Sequence, residues 1–126
     1  MGRFWIGVIL LVGLLVLGIW ASVTMDGVHQ EIADTLEQAA RFTFSGETDR
    51  GVATAEQARV QWQRRWHTTA SVADHAPMDE IDSLFAQMEM YEKTGNYSEF
   101  TACCHRIAKL VRAVGEAHAL NWWNLL

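Results

Sequence analysis

FWIGVILLVGLLVLGIWASV, residues Phe4 to Val23, decides what the rest of the chain can be. The run carries no charge, and besides its two indoles only Ser22 offers a side-chain hydrogen-bonding group. As a helix rising about 1.5 Å per residue it extends about 30 Å, the thickness of a hydrocarbon core. Gly7, Gly13 and Gly18 would weaken a water-exposed helix by about 1 kcal/mol each, but in lipid the backbone must pair internally, so helix is the expected state. Trp5 and Trp20 stand near the two ends, where indoles favour the headgroup region. These features define a membrane span marked by Phe4, Trp5, Gly7, Gly13, Gly18, Trp20 and Ser22.

A removable secretory signal is the competing reading of this run. Arg3 suits the basic start of a signal, but the apolar stretch is longer than the usual 7 to 15 residues. The exit Ile19-Trp20-Ala21-Ser22 also puts a bulky indole where cleavage sites are modest. An uncleaved anchor over residues 1–24 is therefore expected, followed by a domain over 25–126. Arg3 precedes the span, whereas Asp26, Glu31, Asp34 and Glu37 follow it with no basic residue before Arg41. By the positive-inside rule the N-terminus is cytoplasmic and the domain extracytoplasmic. Gly18 and Ser22 form a small-xxx-small pair that would let a second helix approach closely; simple lipid exposure is the alternative.

The hundred or so residues beyond the span can bury one core. They hold all fifteen acidic residues and, since Arg3 lies before the span, nine of the ten basic ones. A net acidic domain argues against nucleic acid or anionic lipid as a partner. One proline and few turn clusters favour long helices over a many-stranded sheet.

Val28, Ile32, Leu36, Ala39 and Thr43 recur at steps of three and four and predict a helix over 25–44. Asp26 is its candidate N-cap and Ser45-Gly46 its end, unless it runs on from the span with a bend at Gly27. Glu31, Asp34, Glu37 and Gln38 should face water. After a loop over Gly46–Gly51, a second stripe follows: Ala55, Ala58, Trp62, Trp66, Thr69 and Ala73. Each tryptophan can bury about 200 Å², as bundle packing or as the aromatic wall of a ligand pocket. Asp74-His75-Ala76-Pro77 breaks the pattern near Ala76. Ile81, Leu84, Phe85, Met88 and Tyr91 mark a third helix with Asp79, Glu80 and Asp82 at its positive end. It stops at Thr94-Gly95, and Asn96 with Glu99 matches a capping box opening a fourth helix. That helix should bury Phe100, one of Cys103 and Cys104, Ile107, Leu110, Val111, Val114 and Ala117. The short link makes helices three and four antiparallel. The ending, with Trp122, Trp123, Leu125 and Leu126, reads as a last turn folded on the bundle, or else as a membrane-surface foot or partner-docking tail. Gly95 to Phe100 is similar to the link inside tetratricopeptide repeats, but nothing matches it at a period of about 34 residues.

The order of these features resembles one family. A single span, an acidic helix, a helix with Trp62 and Trp66, Asp74-His75 before an acidic helix start, and a last helix with Asn and Leu pairs are similar to the bacterial domain of unknown function four-three-six-three. The resemblance implies a small membrane-anchored helical protein and supplies no catalytic residues. Trp122-Trp123 departs from the family's plainer ending.

No constellation carries obvious chemistry. His67, His75, Cys103, Cys104 and His105 include ligand types, but Cys103 and His105 splay by about 200° on a helix, poor geometry for one metal. A Cys-His nucleophilic pair across helices lacks a Gly-rich elbow or oxyanion loop. Adjacent cysteines on a helix cannot easily join to each other, so one is expected inside and its neighbour at the flank. An intermolecular disulfide or a bound metal is the rival. His75 reads as a helix cap or a pH-sensitive latch. Arg59, Arg64 and Arg65 form a basic cluster able to dock an acidic surface, a solvated face being the default.

The expected fold is all-α, one N-terminal transmembrane helix and an antiparallel bundle of about four helices. The expected function is a non-enzymatic interaction or assembly module without cofactor, meeting the bilayer and either another membrane protein or a second copy. A bundle that senses a small ligand and signals through a partner is the alternative, with a metal or thiol enzyme a more distant third reading.

Overall fold

The computed structural model describes the backbone of residues 1–69 and 76–124, and their side chains except at 21–26, 66–69 and 118–124. Among the described residues there are four helices and no strand: α1 (Gly2–Phe44), α2 (Thr48–Thr69), α3 (Ala76–Lys93) and α4 (Tyr97–Asn124). The fold is an all-α bundle with an apolar N-terminal helix.

The first helix is longer than its two sequence signals suggest. α1 runs unbroken for 43 residues, so Asp26 lies inside a helix and not at its start. No proline falls within the segment, and a single Gly27 lowers helix propensity by only about 1 kcal/mol. The apolar first half and the bundle half are therefore one helical element, and the expected boundary at 24/25 falls inside it.

Both tight connections end a helix in the same way. At the end of α1, the Glu47 N–H donates to Phe42 O at 2.9 Å and the Gly46 N–H to Thr43 O at 3.2 Å. At the end of α3, Asn96 donates to Tyr91 O at 2.9 Å and Gly95 to Glu92 O at 3.1 Å. Each pattern needs a left-handed residue, supplied by Gly46 (φ 88°) and Gly95 (φ 70°). Asn96 then caps α4, its Oδ1 accepting from the Glu99 N–H at 3.4 Å. Its own N–H is committed to α3, so only half of the predicted capping box forms. The α1–α2 loop is shorter than expected, because α2 begins at Thr48 and Gly51 lies in its first turn.

The turns make successive helices antiparallel, and side chains record the register. Thr43 and Thr101 hydroxyls meet at 2.6 Å across α1 and α4, Trp62 lies edge-on to His29 across α2 and α1, and the Cys103 thiol donates to Leu84 O at 3.3 Å across α4 and α3. α1 packs most extensively on α4 and α2, and α4 on α3, while α2 and α3 meet along a much thinner seam. The core holds Ile32, Leu36, Trp62, Ile81, Phe85, Met88, Phe100, Ile107 and Val111, all buried. Burial of each such side chain stabilises by about 1.5–3 kcal/mol.

Several packing positions differ from the stripes. Along α1 the buried face is His29, Ile32, Ala33, Leu36, Ala39, Ala40 and Thr43, with Val28 only partly covered. Small Ala33, Ala39 and Ala40 let α2 and α4 approach from two sides, so the buried arc is wider than one stripe. In α4 both cysteines are buried, Leu110 is partly covered and Ala117 is exposed. Cys103 faces α3 and Cys104 touches Met88 Sδ at 3.7 Å, so α3 covers both thiols.

Candidate functional site

The apolar end of α1 is the first candidate region, and its geometry is simple. Gly2–Trp20 is long and apolar enough to cross a membrane, and none of it is buried by the rest of the chain. Its large side chains from Phe4 to Trp20 are 46% to 75% exposed, except Val8, which is partly covered. A Cβ added at Gly7, Gly13 or Gly18 would meet nothing within 4 Å, so these positions are open to lipid or to another helix. The side chain of Ser22, the second member of the small pair, lies outside the described residues.

The predicted basic cluster is divided by the helix it sits on. Arg59 turns toward α3 and donates to Glu56, with Nε to Oε2 at 2.8 Å. That pairing holds the Glu56 carboxyl below its ordinary value and raises the Arg59 guanidinium above its own. Arg64 and Arg65 instead line a groove on the α1–α2 seam together with Val28, Glu31 and Gln61. The three arginines therefore do not form one patch, because five and six residues along a helix turn the direction by about 140° and 240°. Trp122 and Trp123, the other proposed docking residues, have side chains outside the described set.

Two grooves result. The first, about 290 Å³, is the one lined by Arg64 and Arg65. Gln61 contributes a carbonyl oxygen, Oε1, that is buried and accepts no hydrogen bond. The second, about 430 Å³, follows the thin α2–α3 seam and is lined by Arg59, Trp62, Gln63, Asp82, Phe85, Ala86 and Glu89. At its floor the Trp62 indole N–H donates to Asp82 Oδ1 at 3.0 Å, linking α2 to α3. It is amphipathic, with ring surface below and both signs of charge at the rim.

The thiols are enclosed. Burial pushes the Cys103 thiol above its ordinary value, and Cys104, more deeply enclosed, is pushed up to about 12 by burial and by its neighbour Cys103. Neither is in a disulfide within the chain. A thiolate nucleophile needs the opposite environment, partly open and electropositive. Among the described residues no three His, Cys, Asp or Glu side chains converge on a metal-sized point. His105 is exposed on α4, while the His67 side chain and the whole of Asp74 and His75 lie outside the described residues.

One cluster went unseen in the sequence. Arg112 of α4 reaches α1 and donates from Nη1 to Glu37 Oε1 at 2.5 Å and from Nη2 to Asp34 Oδ1 at 2.8 Å. Its guanidinium rises well above the ordinary arginine range, first through the Glu37 hydrogen bond, and Glu37 is lowered by the same bond. The spacing of Asp34 and Glu37 on one face was visible, but the partner 75 residues away was not.

The elements together define an all-helical bundle built onto the end of a span-length helix. The chain belongs to the family described as Domain of unknown function (DUF4363), whose model matches residues 19–125. The match begins at the end of the apolar segment and takes in the whole bundle. No curated protein and no solved structure matches the chain.

Proposed function

We propose that the protein is a single-pass, membrane-anchored interaction module, non-enzymatic, which presents an extracytoplasmic bundle to another membrane protein or to a second copy of itself. The observation that carries this reading is α1 itself. Its first half is uncovered apolar helix, and the same rod supplies a central wall of the core. A partner that touched the span would thus be held beside the bundle at high effective concentration, and a modest bundle contact would suffice. The basic Arg3 before the span and the acidic residues after it support a cytoplasmic N-terminus.

Site-specific photocrosslinking in native membranes tests the proposal. A crosslinker at Gly18, on the span, or at Gln63, on the rim of the α2–α3 groove, should give a discrete adduct whose mass and peptides identify a second copy or another membrane protein. Absence of any protein adduct at both positions would overturn it. A second reading, a small-ligand sensor, is favoured by the α2–α3 groove, whose indole floor and charged rim resemble bundle ligand sites. It requires a ligand that raises the melting temperature of the intact protein and loses that effect when Gln63 and Ala86 are enlarged.

A further inference from the structure

Three contacts fix the register of α4 and α2 along α1. The Thr43 and Thr101 hydroxyls meet at 2.6 Å, and a Cβ at Gly115 would lie 3.0 Å from His29 Cβ. From 29 to 43 on α1 and from 101 to 115 on α4 is the same fourteen residues, so the two antiparallel helices run in step. No proline interrupts either. Carried on at that step, α4, which reaches Asn124, brings Trp122 level with residue 22 and Trp123 level with residue 21. Both lie within about 3 Å of helix rise from Trp20. α2 is set by Trp62 beside His29. Trp66, four residues on, is level with residue 25, about 8 Å above Trp20.

Charge ends at nearly the same height on all three helices. Asp26 is the first charged residue of α1 after the apolar run, Arg65 on α2 is level with it, and Glu116 on α4 is level with residue 28. On the span side of those positions, residues 4–25, 66–69 and 117–124 contain no Asp, Glu, Lys or Arg. A bundle end bathed in water normally carries charge at its exposed positions. A headgroup layer, about 5–8 Å deep, instead favours indoles, which offer an apolar body and a polar N–H. The band that holds Trp20, Trp66, Trp122 and Trp123 has that depth.

We propose that the near end of the bundle is seated in the headgroup layer, where Trp66, Trp122 and Trp123 form with Trp20 an aromatic collar whose partner is the lipid surface. The inference rests on the reading of the first half of α1 as a membrane anchor. A collar of neutral side chains needs no anionic lipid, in keeping with a net acidic domain. It also gives the α4 ending a task that core packing does not, since it fixes the height at which the bundle stands over the bilayer.

The test uses the full chain, with fluorotryptophan in place of tryptophan, reconstituted in phosphatidylcholine nanodiscs. Single variants such as Trp66→Phe, Trp122→Phe and Trp123→Phe assign the fluorine resonances. A nitroxide carried on the lipid headgroup then broadens the indoles close to the interface. Trp66, Trp122 and Trp123 should lose signal as fully as Trp20, and severalfold more than Trp62, which is buried in the core four residues beyond the band. Broadening of Trp122 and Trp123 by a water-soluble nitroxide but not by the lipid one overturns the collar. Insensitivity of both to either nitroxide puts them against protein and overturns the lipid partner. If Trp5 and Trp20 also ignore the lipid nitroxide, the anchor and the collar fail together. If those two respond while Trp122 and Trp123 do not, the collar alone fails.

Discussion

Trp62 joins two requirements in one side chain. It is 1% exposed in the core, yet its indole N–H reaches out to Asp82 across the thin α2–α3 seam. Trp62→Phe keeps most of the apolar surface but deletes the donor, and should lower stability in urea unfolding by about 1–2 kcal/mol. Trp62→Ala should lower it by about 3–5 kcal/mol through the cavity as well. The cysteines offer a second test at this scale. With Cys104 pushed up to about 12 and Cys103 raised in the same direction by burial, maleimide labelling of the folded protein near neutral pH should be slow at both. Addition of denaturant should expose both at once, and rapid labelling of either in the native state would contradict the packing. The stripe positions Ile32, Leu36, Trp62 and Phe85 were readable because helical period and large apolar side chains coincide there. The second buried cysteine and buried His29 were not, because enclosure of a small or polar group depends on which helix arrives opposite.

At the scale of elements, α1 is held to α2 by close approach and to α4 by charge. A Cβ at Gly51 would lie 2.4 Å from Thr43 Cγ2 and 2.9 Å from Ala39 O. The backbone oxygen cannot step aside as a side-chain tip can, so Gly51→Ala should destabilise by about 1–3 kcal/mol, read as a lower melting temperature. Charge gives a pH dependence instead. Glu37 is lowered from its ordinary 4.5 by the Arg112 hydrogen bond. It contributes stability above its unfolded value, and that contribution is lost as the pH falls through the lower folded value. Urea midpoints should therefore drop between about pH 5 and about pH 3, and Glu37→Gln should flatten that limb. The helices themselves, their two Gly-terminated ends and the α4 cap were legible, since each signal is local. The Arg112 contacts and the division of Arg59 from Arg64 and Arg65 were not, since they depend on how helices far apart in sequence are rotated about their axes.

The whole molecule is organised by the continuity of α1, which the sequence left open between a capped start at Asp26 and a helix running straight through. Nothing local decides between them, because Asp26 and Gly27 suit either a boundary or a tolerated interior. The bundle packs its core without using any side chain from Gly2 to Trp20. A chain beginning at Gly27 should therefore retain cooperative thermal unfolding and helical circular dichroism, and a non-cooperative melt would show that the apolar half is needed for folding. From Trp20 to Phe44 the rod extends 24 residues, about 36 Å. If its lower part tilts by about 10° to match a thinner bilayer, its far tip swings sideways by about 6 Å. Helices α2 and α4, clamped along that rod, would be carried with it. With the proposed anchor, a lipid-thickness change would thus reach the bundle as a lateral displacement along one continuous helix.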